Sequence, residues 1–281
     1  MTDKYAVIGN PVAHSKSPPI HAEFARQTGQ DISYDRLLAP LDAFEATVRK
    51  FFDEGGKGLN VTLPFKHEAW RFSEAQGMAI GANAVNALKF ERDKSGRGKI
   101  SGYNTDGIGL LRDLRGNLGC GLEGKRILLM GAGGASYGVM EPLIREQPER
   151  LIVVNRTLGK ALSLAAHFRT VLGVAQQNIS ALAYAALGDA QFDIVINATS
   201  AGLSDAMPPL PAGVFGPDAL AYDMVYGKMT PFLRFARAGG ARIADGTGML
   251  VEQAAESFYL WRGVRPDTAP VIELLRRQAQ G

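Results

Sequence analysis

Short apolar runs alternate along this chain with stretches whose apolar residues recur at helical spacing, the pattern of an α/β protein built on parallel sheet. Tyr5–Ile8 reads as a first strand and a Gly-Asn-Pro turn follows. Ile20 and Phe24 then share one face of a helix that begins near Pro18 and stops at Gly29. A strand at Ile32–Leu38, a helix over Asp42–Asp53 carrying Phe44, Val48 and Phe51, and a strand at Leu59–Thr62 continue the alternation. Ala84–Phe90 and Ile100–Tyr103 flank the polar turn DKSGRG and predict a hairpin. The helix-like segment Gly107–Leu118 joins this unit to a second one, where strands are expected at Arg126–Met130, Leu151–Asn155, Ile194–Asn197 and Ala221–Val225. After Asp245 two helices, Met249–Trp261 and Val271–Gln278, add no strand and are expected to pack back on the first unit.

At 281 residues the chain suits two domains. Hydrophobic residues at 46% and charged residues at 21% exclude disorder, collagen-like repeats and a simple coiled coil. The net charge of +3 is spread thinly, which argues against nucleic-acid or membrane partners. No apolar run reaches the roughly 18–20 residues that a membrane span needs. Cys120 stands alone, and the opening MTDKYAVIGNP runs straight into a strand without the layout of a signal peptide, so a cytoplasmic protein is expected. His14, His21, His67 and His167 form no set at metal-ligand spacing, and no metal is expected.

Among the 33 glycines, Gly131, Gly133 and Gly134 sit with Ala132, Ala135 and Ser136 where a strand turns into a helix. Bare backbone there lets a pyrophosphate approach the unpaired N–H groups of the helix start. Ser136 stands where the usual spacing has a third glycine, but the βαβ context is complete. A tight turn that binds nothing is the alternative. The end of the second strand selects the cofactor: an acid there would accept from a ribose 2′-hydroxyl, whereas a 2′-phosphate wants arginine. The chain reads Asn155, Arg156, Thr157 and then Lys160, which favours NADP(H) over NAD. The competing reading is an ordinary solvated helix start, although basic residues there oppose the helix dipole.

The first unit has polar residues at the carboxyl ends of its strands, the edge where open α/β sheets bind ligands. Ser15 and Ser17 are two apart, so in extended backbone their hydroxyls face one side, and Pro18 fits the first position of a helix capped by Ser17. The pair suits a carboxylate, or Ser17 is merely a cap. Asn60 and Thr62 share a face at the end of a strand that leads through Pro64 to Lys66. Taken alone, Lys66 reads as a surface charge and Asp106 as a possible helix cap.

Taken together, HSKSP, GKGLNVTLPFK, AVN at Ala84–Asn86, NTDG, GAGGAS, NRT, NATS at Asn197–Ser200, YDMVY at Tyr222–Tyr226 and DGTGMLVEQAA at Asp245–Ala255 resemble the shikimate dehydrogenase family in order and spacing over nearly the whole chain. The resemblance implies NADPH-dependent reduction of 3-dehydroshikimate, a small-molecule substrate, and a monomer or homodimer. It implies an N-terminal α/β substrate domain of mostly parallel sheet, residues 1–106 with 245–281, and a Rossmann-type NADP domain over 107–244. Lys66 and Asp106 would form the catalytic dyad. Ser15 and Ser17, helped by Tyr226, would hold the substrate carboxylate, and Asn60, Thr62, Asn86 and Gln253 would contact ring hydroxyls. Gly131, Ala132, Gly133, Gly134, Ala135, Asn155, Arg156, Thr157, Lys160, Thr199, Met224 and Gly246 would line the cofactor. The chain departs from the family pattern at Asn83, Ala87, Tyr103 and Tyr137. Two rivals remain: a quinate/shikimate enzyme that uses NAD, and a non-catalytic dinucleotide-binding relative.

Overall fold

The computed structural model describes residues 2–92, 98–175, 178–199 and 207–280. The chain divides into two compact units, Met1–Gly109 with Val251–Val271, and Leu110–Leu250 with Ile272–Gly281.

The first unit holds β1 (Asp3–Gly9), α1 (Ser17–Thr28), β2 (Ile32–Leu38), α2 (Phe44–Asp53), β3 (Gly56–Val61), α3 (Lys66–Phe72), β4 (Glu74–Ala75), α4 (Met78–Ala82), β5 (Ala87–Arg92) and β6 (Gly98–Tyr103). Its sheet has the order β2-β1-β3-β5-β6-β4. The first three strands are parallel, β5 runs antiparallel to both neighbours, and β4 lies parallel to β6. Tyr5–Ile8 is buried throughout, as expected of a strand covered on both faces. Ala6 and Ile8 join Phe44, Val48, Phe52, Leu59, Val61, Phe65 and Leu88 in one core cluster. The aromatic side chains of Tyr5, His21, Phe24, Tyr34, Phe258 and Trp261 form another cluster. Gly58 is needed there: a Cβ on it would lie 2.5 Å from Trp261 Nε1.

The second unit holds β7 (Arg126–Met130), α6 (Gly134–Arg145), β8 (Arg150–Val154), α7 (Leu158–Leu172), β9 (Ile179–Leu182), β10 (Phe192–Asn197), β11 (Phe215–Asp223), α8 (Pro231–Ala238) and β12 (Arg242–Asp245). All its strand pairs are parallel. The order β9-β8-β7-β10-β11-β12 reverses direction between β7 and β10, the kind of junction at which doubly wound folds bind their ligands. Two apolar clusters include residues of its strands, one with Ile127, Leu129, Val153 and Ile196, the other with Leu128, Met130, Val154 and Val195.

α5 (Asp106–Arg112) continues through a π-helical turn at Asp113–Asn117, and α9 (Thr247–Arg262) precedes α10 (Ala269–Gln280). The helix α9 from Val251 on and α10 up to Val271 belong to the first unit, whereas the rest of α10, from Ile272, is assigned to the second and so departs from the expectation for this helix.

Several local expectations are corrected. Ser17 is the first helical residue rather than the cap: Lys16 holds the cap position, without a side-chain cap bond. The segment before it is a turn rather than extended chain, closed by Ser15 N–H donating to Val12 O. Strands β4, β9 and β12 and helices α4 and α8 were not expected from the pattern. Ile179–Leu182 includes Ser180 and Ala181, and Arg242–Asp245 begins and ends on charge, so neither offers an apolar run. Most of the DKSGRG turn, and Ser200, lie outside the described residues.

Candidate active site

Lys66 is the first residue of α3. It is placed by a turn in which Phe65 N–H donates to Thr62 O and the Phe65 ring stacks on Phe44 at 4.9 Å. Its own carbonyl accepts from Val85 N–H at 2.9 Å, which ties the start of α3 to the segment carrying Asn86. A cation at a helix N-terminus opposes the dipole, and here the opposing charge is at hand. Lys66 Nζ donates to Asp106 Oδ2 at 2.5 Å, with the two side chains only 17% and 9% exposed. Asp106 opens α5, where a carboxylate suits the dipole, and its N–H donates to Asn104 Oδ1.

Asn86 fixes the other carboxylate oxygen. Its Nδ2 donates to Asp106 Oδ1 at 2.8 Å and to Thr105 Oγ1 at 3.0 Å. Its Oδ1 accepts from Thr105 N–H at 2.8 Å, so the amide has one orientation. Gln253 Oε1 stands 3.4 Å from Asn86 Nδ2. Asn60 is spoken for more completely: Oδ1 accepts from Tyr34 Oη at 2.7 Å, while Nδ2 donates to Asn86 O and to Ser257 Oγ. Both amide hydrogens are used within the protein, which leaves Asn60 an oxygen lone pair to offer a ligand. Thr62 is half-buried just past β3.

The serine hydroxyls meet, Ser15 Oγ donating to Ser17 Oγ at 3.2 Å, beside the first turn of α1, which has no acidic residue. Tyr226 belongs to the second unit, just after β11, and is exposed. Thr105, Ser257 and Tyr34 were not singled out from sequence. Thr105 sits inside NTDG and Ser257 lies one helical turn beyond Gln253, so both had a positional signal. Tyr34 had none.

The residues expected to line the cofactor all lie in the second unit, mostly at the carboxyl ends of its strands. Gly131 follows β7 with φ +110°, and a Cβ on it would press on Ala198 O at 3.0 Å. Gly133, the cap of α6, is extended, with nothing within 4 Å of an added Cβ. No side chain caps α6 and no acid lies in its first turn, which includes Ala135. Its first N–H groups therefore have no helical acceptor. Ser136 Oγ, fully buried in that turn, has no hydrogen-bond partner among the described residues.

At the end of β8, Asn155 Nδ2 donates to Thr157 O, while Arg156, Thr157 and Lys160 are exposed. Beyond β10, Thr199 donates through N and Oγ1 to Asn197 Oδ1, and Met224 N–H donates to Asn197 O. Gly246 sits under Met224, whose carbonyl oxygen would be 2.3 Å from an added Cβ. Asn197 and Asp223, both fully buried, anchor this end of the sheet with Thr230. An open glycine turn, an uncapped helix start, an orphaned hydroxyl and a cationic strand tip fit a dinucleotide phosphate group. Among the described residues no helix is long and apolar enough to cross a membrane, and no cluster suits a metal ion.

Comparison with known proteins gives the same picture. The shikimate dehydrogenase substrate binding domain matches residues 7–88, the shikimate/quinate 5-dehydrogenase family residues 115–204, and the shikimate 5'-dehydrogenase C-terminal domain residues 246–276. Shikimate dehydrogenase (NADP(+)) of Methylobacillus flagellatus is 55% identical over 98% of this chain and 99% of its own. The structure of an Ael1 enzyme from Pseudomonas putida superposes with a TM-score of 0.90 at 50% identity, covering 98% of each chain. Shikimate 5-dehydrogenase from Thermus thermophilus, in complex with NADP(H) and shikimate, gives 0.84 at 34% identity, over 99% of this chain and 100% of its own. With three family domains in order along the sequence and relatives matched nearly end to end, this chain belongs to the shikimate dehydrogenase family.

Proposed function

We propose that this chain catalyses the reversible, NADPH-dependent reduction of 3-dehydroshikimate to shikimate, in the route to chorismate and the aromatic amino acids, as a cytoplasmic monomer or homodimer. The observation that carries the reading is the Lys66–Asp106 pair, locked by Asn86 and held largely out of water. When bound at the turn formed by Gly131–Ala135, NADPH supplies the reducing electron pair with its hydrogen. The rest falls to side chains of the first unit.

Lys66 donates a hydrogen bond to the ketone oxygen and passes its proton there as negative charge develops, so that the C=O becomes an alcohol. In the reverse direction the neutral amine takes that proton. Asp106 holds Nζ in line through Oδ2 and keeps a lone pair for the neighbouring substrate hydroxyl. Ser15 and Ser17 seat the carboxylate, and Asn60, Thr62, Asn86 and Gln253 address the ring hydroxyls. Arg156 and Lys160 provide the cations for a 2′-phosphate.

Replacing Lys66 by alanine is expected to lower kcat by about 10²–10⁴ with KM changed only a few-fold, since the group acts mainly in the transition state. Near-full turnover in that variant would remove Lys66 from the chemistry. Comparing kcat/KM for shikimate and quinate, each with NADP and NAD, tests substrate and cofactor together. Strong preference for NAD or for quinate overturns the corresponding half of the reading.

A further inference from the structure

One cation fixed beside the serine pair has no role in the reaction as so far described. Arg36, on β2, reaches across to the turn before α1 and donates from both Nε (3.2 Å) and Nη2 (2.6 Å) to Ser15 O. A fork that would match a carboxylate is thus spent on one carbonyl oxygen. Arg36 is exposed and makes no ion pair among the described residues. It stands beside the start of α1, a 12-residue helix with no acid in its first turn. Positive charge at that end is unfavourable to the helix, so the helix itself gives no reason for a guanidinium there. An anion does. Lys16, in the same turn, is exposed and its side chain makes no hydrogen bond among the described residues, whereas the Arg36 guanidinium is held by two.

We propose that Arg36 is the electrostatic specificity residue for the substrate carboxylate: held on Ser15 O, it keeps a positive charge beside the serine hydroxyls and makes their seat selective for an anion. The inference rests on the reading that Ser15 and Ser17 hold that carboxylate, and it adds a charge acting beside them. It explains how two neutral hydroxyls, which would hydrogen-bond an ester or an amide nearly as well, come to favour a charged group.

The test uses the intact enzyme with Arg36→Met and Arg36→Lys, assayed with shikimate and with its uncharged methyl ester at low and high salt. Arg36→Met is expected to raise KM for shikimate about 5–20-fold at low salt and much less at high salt, in line with a screened charge. Its KM for the ester should move less than twofold, and kcat for shikimate should stay within about twofold. Arg36→Lys, which keeps charge but loses the fork, should fall between. An equal rise in KM for acid and ester would mean that Arg36 only props up the loop. No rise for either would leave it without a part in binding. Both results overturn the proposal. A double Ser15→Ala, Ser17→Ala variant separates this from failure of the underlying reading. If its KM for shikimate is unchanged, the carboxylate seat is elsewhere and the proposal falls with it. If its KM rises while that of Arg36→Met does not, the seat stands and Arg36 alone is excluded.

Discussion

His21 predicts a specific acid sensitivity in the first unit. Its ring is fully buried, stacks flat on Tyr34 at 4.1 Å, and is flanked by Phe24, Phe258 and Trp261. Neither ring nitrogen has a hydrogen-bond partner among the described residues. Burial drives the pKa down to about 3, with the Asn60 side chain opposing in smaller part. No charged group lies among the rings around it; Tyr34, the titratable one in direct contact, is itself pushed well above its ordinary value by burial. The folded form therefore carries neutral histidine at a pH where the unfolded chain, titrating near 6.5, has taken up a proton. The folded pKa is the lower one, so this contribution is fully present above about pH 6.5 and is lost as pH falls from there toward 3. Within that window the slope is about 1.4 kcal/mol per pH unit, so moving from pH 7 to pH 5 costs about 2 kcal/mol through this side chain alone. His21→Phe keeps a flat ring on Tyr34 and removes the titration. Urea unfolding followed by tryptophan fluorescence reads this unit selectively, because both tryptophans, Trp70 and Trp261, lie in it. Wild type should lose about 2 kcal/mol more than His21→Phe between the two pH values. Losses equal to within about 0.5 kcal/mol would show that the buried ring takes up its proton in the folded state at an ordinary pH, and the argument from burial would fail.

Two other predictions use the second unit. Thr230 caps α8, accepting from Leu233 N–H, and its Oγ1 donates to Asp223 Oδ2 at 2.6 Å, both side chains being fully buried. The isosteric Thr230→Val should cost about 2–3 kcal/mol in chemical denaturation, from a lost cap and a buried carboxyl short of one donor, and a change below about 0.5 kcal/mol would contradict this. Arg156→Met should reduce kcat/KM with NADP about tenfold while changing that with NAD less than twofold, and an equal loss with both cofactors would show that Arg156 does not read the 2′-phosphate.

The readable parts of the sequence were those whose signal is local. Arg126–Met130 is an unbroken apolar run, and the strand keeps those bounds. Gly29 stops α1 in the left-handed region, as its position after the last apolar face suggested. What could not be read is what the tertiary structure supplies. Ser17 looks like a cap by composition, yet the helix begins one residue earlier than that reading needs, with its hydroxyl against Ser15 instead. Lys66 has the composition of a surface charge; its partner is 40 residues away, and only the return of the chain through β6 brings Asp106 to it. Ser257 is 197 residues from the Asn60 amide it accepts from. Arg36 carries no motif at all, because its contact is with a backbone oxygen, which every residue has.

Both units solve the problem of holding functional groups at strand ends in the same way, and the choice of residue has a reason. In the first, Asn86 sits between β3 and β6, its carbonyl accepting from Val61 and its N–H donating to Tyr103 O, while its side chain grips Asp106. In the second, Asn197 ends β10 and its side chain grips Thr199 and Asp223. Each amide is buried, and each offers a donor and an acceptor in a fixed plane. A carboxylate in either place would add a second negative charge beside Asp106 or Asp223, and a histidine would be drawn toward its charged form by that same carboxylate. An amide does neither, so the hydrogen-bond directions that aim Asp106 at Lys66 stay the same across the pH range of the proposed proton transfer between Lys66 and the substrate.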